Sequence, residues 1–105
     1  GIWTGTMLDF KHPDQMYICC FGSLGWSLPP AMGAKCAQPD RPVLCFTGDG
    51  GIWYHLLELE TAVRCGIKMV TVVNNNHSLN QEQAVVDVKT HLDGIAPKAW
   101  TPARI

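Results

Sequence analysis

Asp49, held between Gly48 and Gly50, and the amide run Asn74-Asn75-Asn76 are the residues of this 105-residue chain best suited to chemistry. Asp49 offers a hard carboxylate, and the asparagines offer amide oxygens. No Cys or His cage accompanies them. Such a donor set suits Mg²⁺ that is also held by phosphate oxygens, because this small cation asks for six oxygens and is rarely enclosed by protein alone. The glycines around Asp49 permit positive φ and a close approach of ligand to backbone.

The elements that must position these groups are legible around them. Pro42-Val43-Leu44-Cys45-Phe46-Thr47 is an apolar run that breaks at Gly48-Asp49-Gly50-Gly51, as a buried strand breaks into a tight turn. Trp53, Leu56, Leu57, Leu59, Ala62 and Val63 then recur at helical spacing, with Arg64 in the last turn and Gly66 as the C′ residue. A helix starting at the glycine turn presents unpaired N–H groups there, a natural seat for a diphosphate. Ile67-Lys68-Met69-Val70-Thr71-Val72-Val73 is apolar enough for a strand covered on both faces. Strand, helix and strand make a right-handed βαβ unit, and ligands in open α/β sheets sit at the carboxyl ends of the strands, where Asp49 and the asparagines fall. The residues alone thus predict a Mg²⁺-diphosphate site.

Gly48-Asp49-Gly50 followed, after 24 intervening residues, by Asn75-Asn76 resembles the cofactor motif of the thiamine diphosphate-dependent enzymes. Upstream, Gly22-Ser23-Leu24-Gly25-Trp26-Ser27-Leu28-Pro29-Pro30-Ala31-Met32-Gly33-Ala34 is similar to the segment preceding that motif in the acetolactate synthase and 2-oxo-acid decarboxylase branch. The resemblance runs from about Gly22 to Gln83; the first twenty residues fit more loosely, and residues 84–105 form a divergent tail. It implies a three-layer α/β/α fold with a mainly parallel sheet, present here as a partial domain of the diphosphate-binding kind.

It also implies roles. Asp49, the Asn76 side chain and the Ser78 backbone carbonyl would bind Mg²⁺, with diphosphate oxygens and water completing the octahedron. Gly48, Gly50, Gly51 and Asn75 would line the diphosphate site, and His77 the cofactor pocket. Gly22 would accept a hydrogen bond from the aminopyrimidine amino group, and Leu24 would support the bent cofactor. The catalytic Glu would come from a pyrimidine-binding domain of the same or a neighbouring subunit, so no catalytic residue is assigned to this chain. Glu58 and Glu60 point to different faces of the motif helix, and Glu82 follows the metal loop. A homo-oligomer is expected. The implied chemistry is decarboxylation of a small 2-oxo acid with transfer of the acyl unit to a carbonyl or a proton, thiamine diphosphate serving as electron sink. That makes the whole enzyme a lyase or transferase, and this chain alone inactive. A decarboxylase of benzoylformate, indolepyruvate or oxalyl-coenzyme A type, or a remnant that keeps the fold without catalysis, is the alternative.

Plainer readings stand beside these. Asp49 can be a turn Asp, the asparagines a loop tolerant of left-handed backbone, Leu24 a core residue and His77 an exposed loop residue. His55 reads as packing, and His12 and His91 as surface. An unrelated nucleotide-binding module is disfavoured, since Gly48-Asp49-Gly50-Gly51 is not a GxGxxG turn and no acidic residue ends the next strand.

Composition sets the outer bounds. A net charge of −1 provides no field for nucleic acid. No apolar run reaches the roughly 18 residues of a membrane span, and no signal-peptide pattern opens the chain. Five cysteines without CxxC spacing point to a reducing, cytoplasmic compartment or to an organelle reached through an upstream targeting segment. With 47% hydrophobic residues and four Trp, the chain is rich in apolar side chains for one domain, which predicts surface covered by another domain or subunit. Of the remaining elements, Gly1–Met7 reads as a loop and short helix, Lys11–Asp14 as a turn, Met16–Cys20 as a strand, Leu28–Ala37 as a helix begun by Pro29 and Pro30, and Val85–Leu92 as a small helix.

Overall fold

A computed structural model describes residues 2–20 and 22–79. The small helix expected at Val85–Leu92, Glu82 and His91 lie outside the described residues. Two parallel strands, β1 (Leu44–Gly48) and β2 (Val70–Asn74), form a sheet in the register Leu44 with Val70 through Gly48 with Asn74. Between them the chain runs through α3 (Asp49–Ile52), a 3₁₀ turn (Trp53–His55) and α4 (Glu58–Arg64). Before them come α1 (Ile2–Met7) and α2 (Leu28–Ala37).

The helix expected at Leu28–Ala37 has those bounds. Its two prolines sit in the first turn, where missing N–H groups have no intrahelical partner to lose. Its far end is tied down by Lys35, whose Nζ donates to the carbonyls of Pro39 and Arg41, both at 2.7 Å. Gly66 is the expected C′ residue of α4: at φ 65° it lets Ile67 N–H reach the Ala62 carbonyl at 2.8 Å and its own N–H reach that of Val63 at 3.2 Å. Those two bonds make a Schellman closure.

Strand alternation decides where the core lies. Cys45 and Thr47 of β1 point inward and are buried, while Leu44 and Phe46 point outward. Cys45 joins Leu28, Ala31 and Met32 of α2 and Ala62 of α4, with Val43, Leu59, Ile67 and Met69 against them. Burial pushes the Cys45 thiol above its ordinary pKa, against a smaller downward pull from hydrogen bonds with Ser27 and Thr71. The thiol is therefore a neutral core group.

Four expectations are corrected. Met16–Cys20 is no strand, because neither β1 nor β2 pairs with it and a strand without a ladder partner has nothing to define it. The helix expected from the glycine turn to Gly66 is divided, its path staying right-handed at Trp53, Leu56 and Leu57 while i→i+3 bonds from Leu59 and Glu60 tighten the middle. Trp53, Leu57 and Val63, read as part of its apolar stripe, are 60%, 86% and 83% exposed; Leu59 and Ala62 make the contact instead. Finally, β2 is not covered on both faces by the described residues: Val70, Val72 and Val73 are exposed and only Thr71 is half-buried. Paired Leu44 and Val70, and paired Phe46 and Val72, leave an apolar face open among the described residues. The described part of the domain is thus a parallel α/β unit with its helical layer on one side of the sheet.

Leu28, 1% exposed at the centre of the core, carries the packing of α2 on β1. Leu28→Ala should cost about 2–5 kcal/mol, measured by urea unfolding. A loss below that range would show that the core lies elsewhere.

Candidate functional site

The register of the sheet builds the site. With Gly48 opposite Asn74, the residues that follow each strand emerge side by side at the carboxyl edge. Asp49 is the first residue of α3, and α3 packs against both strands. The backbone of Gly48 is extended (φ −86°, ψ 162°) and supplies no side-chain cap, so the first N–H groups of α3 lack an intrahelical acceptor. Gly48, Gly50 and Gly51 do not use positive φ; the turn passes directly from strand to helix. At Gly51 the missing side chain leaves room for Thr47 Oγ1 and the backbone of Gly25.

Asp49 is 7% exposed, and its Oδ2 is buried with no hydrogen-bond partner among the described residues. An ordinary turn Asp caps a nearby N–H, whereas Asp49 Oδ2 accepts none. A buried carboxylate oxygen left unpaired is costly, which makes it a place where a cation or a donor is wanted.

The second strand leads into two overlapping Asx turns. Asn75 Oδ1 accepts the His77 N–H at 3.1 Å, and Asn76 Oδ1 accepts the Ser78 N–H at 3.2 Å. Between them His77 takes φ 56°, the left-handed region. The left-handed residue is thus His77 and none of the asparagines, and the turn holds the oxygen of Asn76 in a fixed direction. Ser78 is half-buried; the His77 ring is exposed.

The loop from Gly22 to Ser27 forms the third wall. Gly22 lies at φ 82° in open space, and Leu24 is 42% exposed rather than a core residue. Gly25 is buried against α3: a Cβ there would lie 2.7 Å from the Gly51 carbonyl oxygen and 2.6 Å from Tyr54 Cβ. This contact brings the Gly22–Leu24 segment beside the glycine turn. Gly25 and Thr47, whose Oγ1 lies under Gly51, were not singled out from sequence. The signal for Gly25 was only a second glycine three residues after Gly22. Glu60 is occupied in a surface pair with Arg64 Nε at 3.0 Å, and His55 is half-buried.

By their chemistry, a carboxylate with an unpartnered buried oxygen and an oriented amide are oxygen donors of the kind Mg²⁺ takes when phosphate completes its shell.

Over 77 residues, 72% of this chain, it is 43% identical to a sulfoacetaldehyde acetyltransferase of Alcaligenes xylosoxydans xylosoxydans. Over 88 residues, 80% of the chain, it is 34% identical to the acetolactate synthase isozyme 1 large subunit of Escherichia coli. Over 98 residues, 90% of the chain, it is 37% identical to an alpha-keto-acid decarboxylase of Mycobacterium avium. The chain spans 13%, 16% and 17% of the lengths of these three proteins. The model of the C-terminal thiamine pyrophosphate-binding domain of thiamine pyrophosphate enzymes matches residues 1–98, and the chain belongs to that family.

Proposed function

We propose that this chain forms the Mg²⁺-diphosphate half of the active site of a thiamine diphosphate-dependent enzyme that decarboxylates a small 2-oxo acid and joins the acyl unit to a second carbonyl. The observation that carries the metal reading is the buried, unpartnered Oδ2 of Asp49 at the start of α3. Asp49, Asn76 and the Ser78 carbonyl would hold the cation; Gly50 and Gly51 would give N–H groups to the diphosphate. Gly22 and Leu24 would face the aminopyrimidine end, and Gly48, Asn75 and His77 would frame the pocket. Bound thiamine diphosphate supplies an electron sink for the carbon that loses CO₂.

Among the described residues, those at the site bind and orient, and none is assigned the initiating proton transfer. Glu60 is engaged with Arg64 on the surface, and Glu58 lies on the same short helix. A carboxylate from a pyrimidine-binding domain, of the same or a neighbouring subunit in a homo-oligomer, completes the site. The exposed Trp53, Tyr54 and Leu57 beside α3 supply apolar surface for such a neighbour. A second reading, simple decarboxylation with a proton as acceptor, is favoured by the 90% coverage of this chain in its match to the alpha-keto-acid decarboxylase.

Calorimetric titration with thiamine diphosphate, with and without Mg²⁺, tests the assignment. Asp49→Ala should abolish Mg²⁺-dependent binding. It should also raise the stability of the metal-free chain by about 1–3 kcal/mol, because an unpaired buried oxygen is removed. Undiminished affinity in that variant would sink the reading, and a remnant that keeps merely the fold would show no Mg²⁺-dependent binding in the parent chain either.

Leu24→Ala should leave affinity for Mg²⁺-diphosphate unchanged and lower kcat in the full-length enzyme. Equal losses in both would make Leu24 a general packing residue. At position 77, Gly or Asn should preserve Mg²⁺ affinity, whereas Val, strained by roughly 1–3 kcal/mol in the left-handed region, should weaken it. Equal affinity across the three would detach the loop conformation from the metal site.

A further inference from the structure

We propose that Gly25 is a positioning residue, seating the Leu24 loop on the first turn of α3 so that both ends of one cofactor are gripped at a fixed separation. The proposal rests on the cofactor reading given above and concerns a residue that reading leaves without a role.

Three glycines of the described chain have positive φ: Gly22 at 82°, Gly25 at 76° and Gly66 at 65°. At Gly22 and Gly66 a Cβ would meet nothing within 4 Å, so those positions ask only for a permissive backbone. Gly25 asks for absence of bulk as well. Its Cβ would stand 2.6 Å from Tyr54 Cβ, 2.7 Å from the Gly51 carbonyl oxygen and 3.2 Å from Tyr54 Cγ. Two of these distances are far inside van der Waals contact, and one obstacle is backbone, which cannot rotate away.

Contact is reciprocal. A Cβ on Gly51 would lie 3.5 Å from Gly25 N and 3.9 Å from its Cα, with Thr47 Oγ1 at 3.2 Å on the other side. Gly51 is thus sandwiched between the end of β1 and the Leu24 loop. Gly25 directly follows Leu24, and Gly51 belongs to the turn assigned to the diphosphate. A side chain at Gly25 would push the loop off α3 and enlarge the gap between the two grips while leaving Asp49 and the asparagine loop in place. Ligands that use only the diphosphate grip would not notice; ligands that span both would.

The test compares affinities of the same chain for thiamine diphosphate and for inorganic diphosphate, each with Mg²⁺, by calorimetry. Gly25→Ala should reduce the preference for thiamine diphosphate by roughly tenfold to a hundredfold, the effect of misplacing a binding group by about an ångström, with inorganic diphosphate binding retained. Gly66→Ala, which imposes left-handed strain without a clash, should keep the parent preference. Tyr54→Gly, which removes the Cβ and Cγ packed against Gly25 from the 3₁₀ turn, should loosen the same contact, give an intermediate fall, and serves if Gly25→Ala does not fold. An unchanged preference in the folded Gly25 or Tyr54 variant overturns the proposal, as does a parent chain with no preference at all. A parent chain that binds neither ligand with Mg²⁺ overturns the cofactor reading itself.

Discussion

The parallel pairing of β1 with β2 is the constraint on which everything else rests. Because Gly48 lies opposite Asn74, Asp49 and the asparagines leave the sheet together at one edge. A slip of one residue would turn Cys45 and Thr47 outward and expel Leu44 into the core. The single register that buries Cys45 against Leu28 and Met32 is therefore also the one that assembles the site. Stability and function are specified by the same ladder of hydrogen bonds.

Local cost is concentrated at that edge. Asp49 is buried without a partner for Oδ2, His77 occupies left-handed backbone, and Gly25 fits only because it lacks a side chain. Each is unfavourable or intolerant taken alone, and Asp49 and His77 lie in the segments that leave the paired strands at one edge, with Gly25 against the turn that follows Asp49. Elsewhere local preferences agree with the structure: the prolines of α2 lie where they lose nothing, and Gly66 closes α4 through two hydrogen bonds. Conflict at a site within an otherwise consistent frame is the pattern expected where a ligand supplies the missing partner.

What was legible in sequence was what short-range chemistry dictates. Pro29 and Pro30 marked the start of α2, Gly66 marked the end of α4, and two β-branched or apolar runs marked the strands. The placement of the Asp49 and Asn76 segments at the ends of adjacent strands was legible as well, and the structure sets them at one sheet edge. Illegible features depend on contacts between distant segments. Met16–Cys20 has strand composition but no ladder beside it, and the Gly25–Gly51 contact joins residues far apart in sequence. The division of the crossover into α3, a 3₁₀ turn and α4 was also hidden, since Trp53, Leu57 and Val63 keep helical spacing while facing away from the core.

The open sheet face has a consequence for the behaviour of the chain. Leu44, Phe46, Val70 and Val72 lie outward in paired rows, and among the described residues β1 and β2 each keep one edge without a neighbour. Unpaired edges beside an apolar surface template the addition of further strands. Wherever that face and those edges stay uncovered, self-association is a second-order process competing with correct coverage, so that concentration, rather than temperature alone, sets how long such a chain stays dispersed.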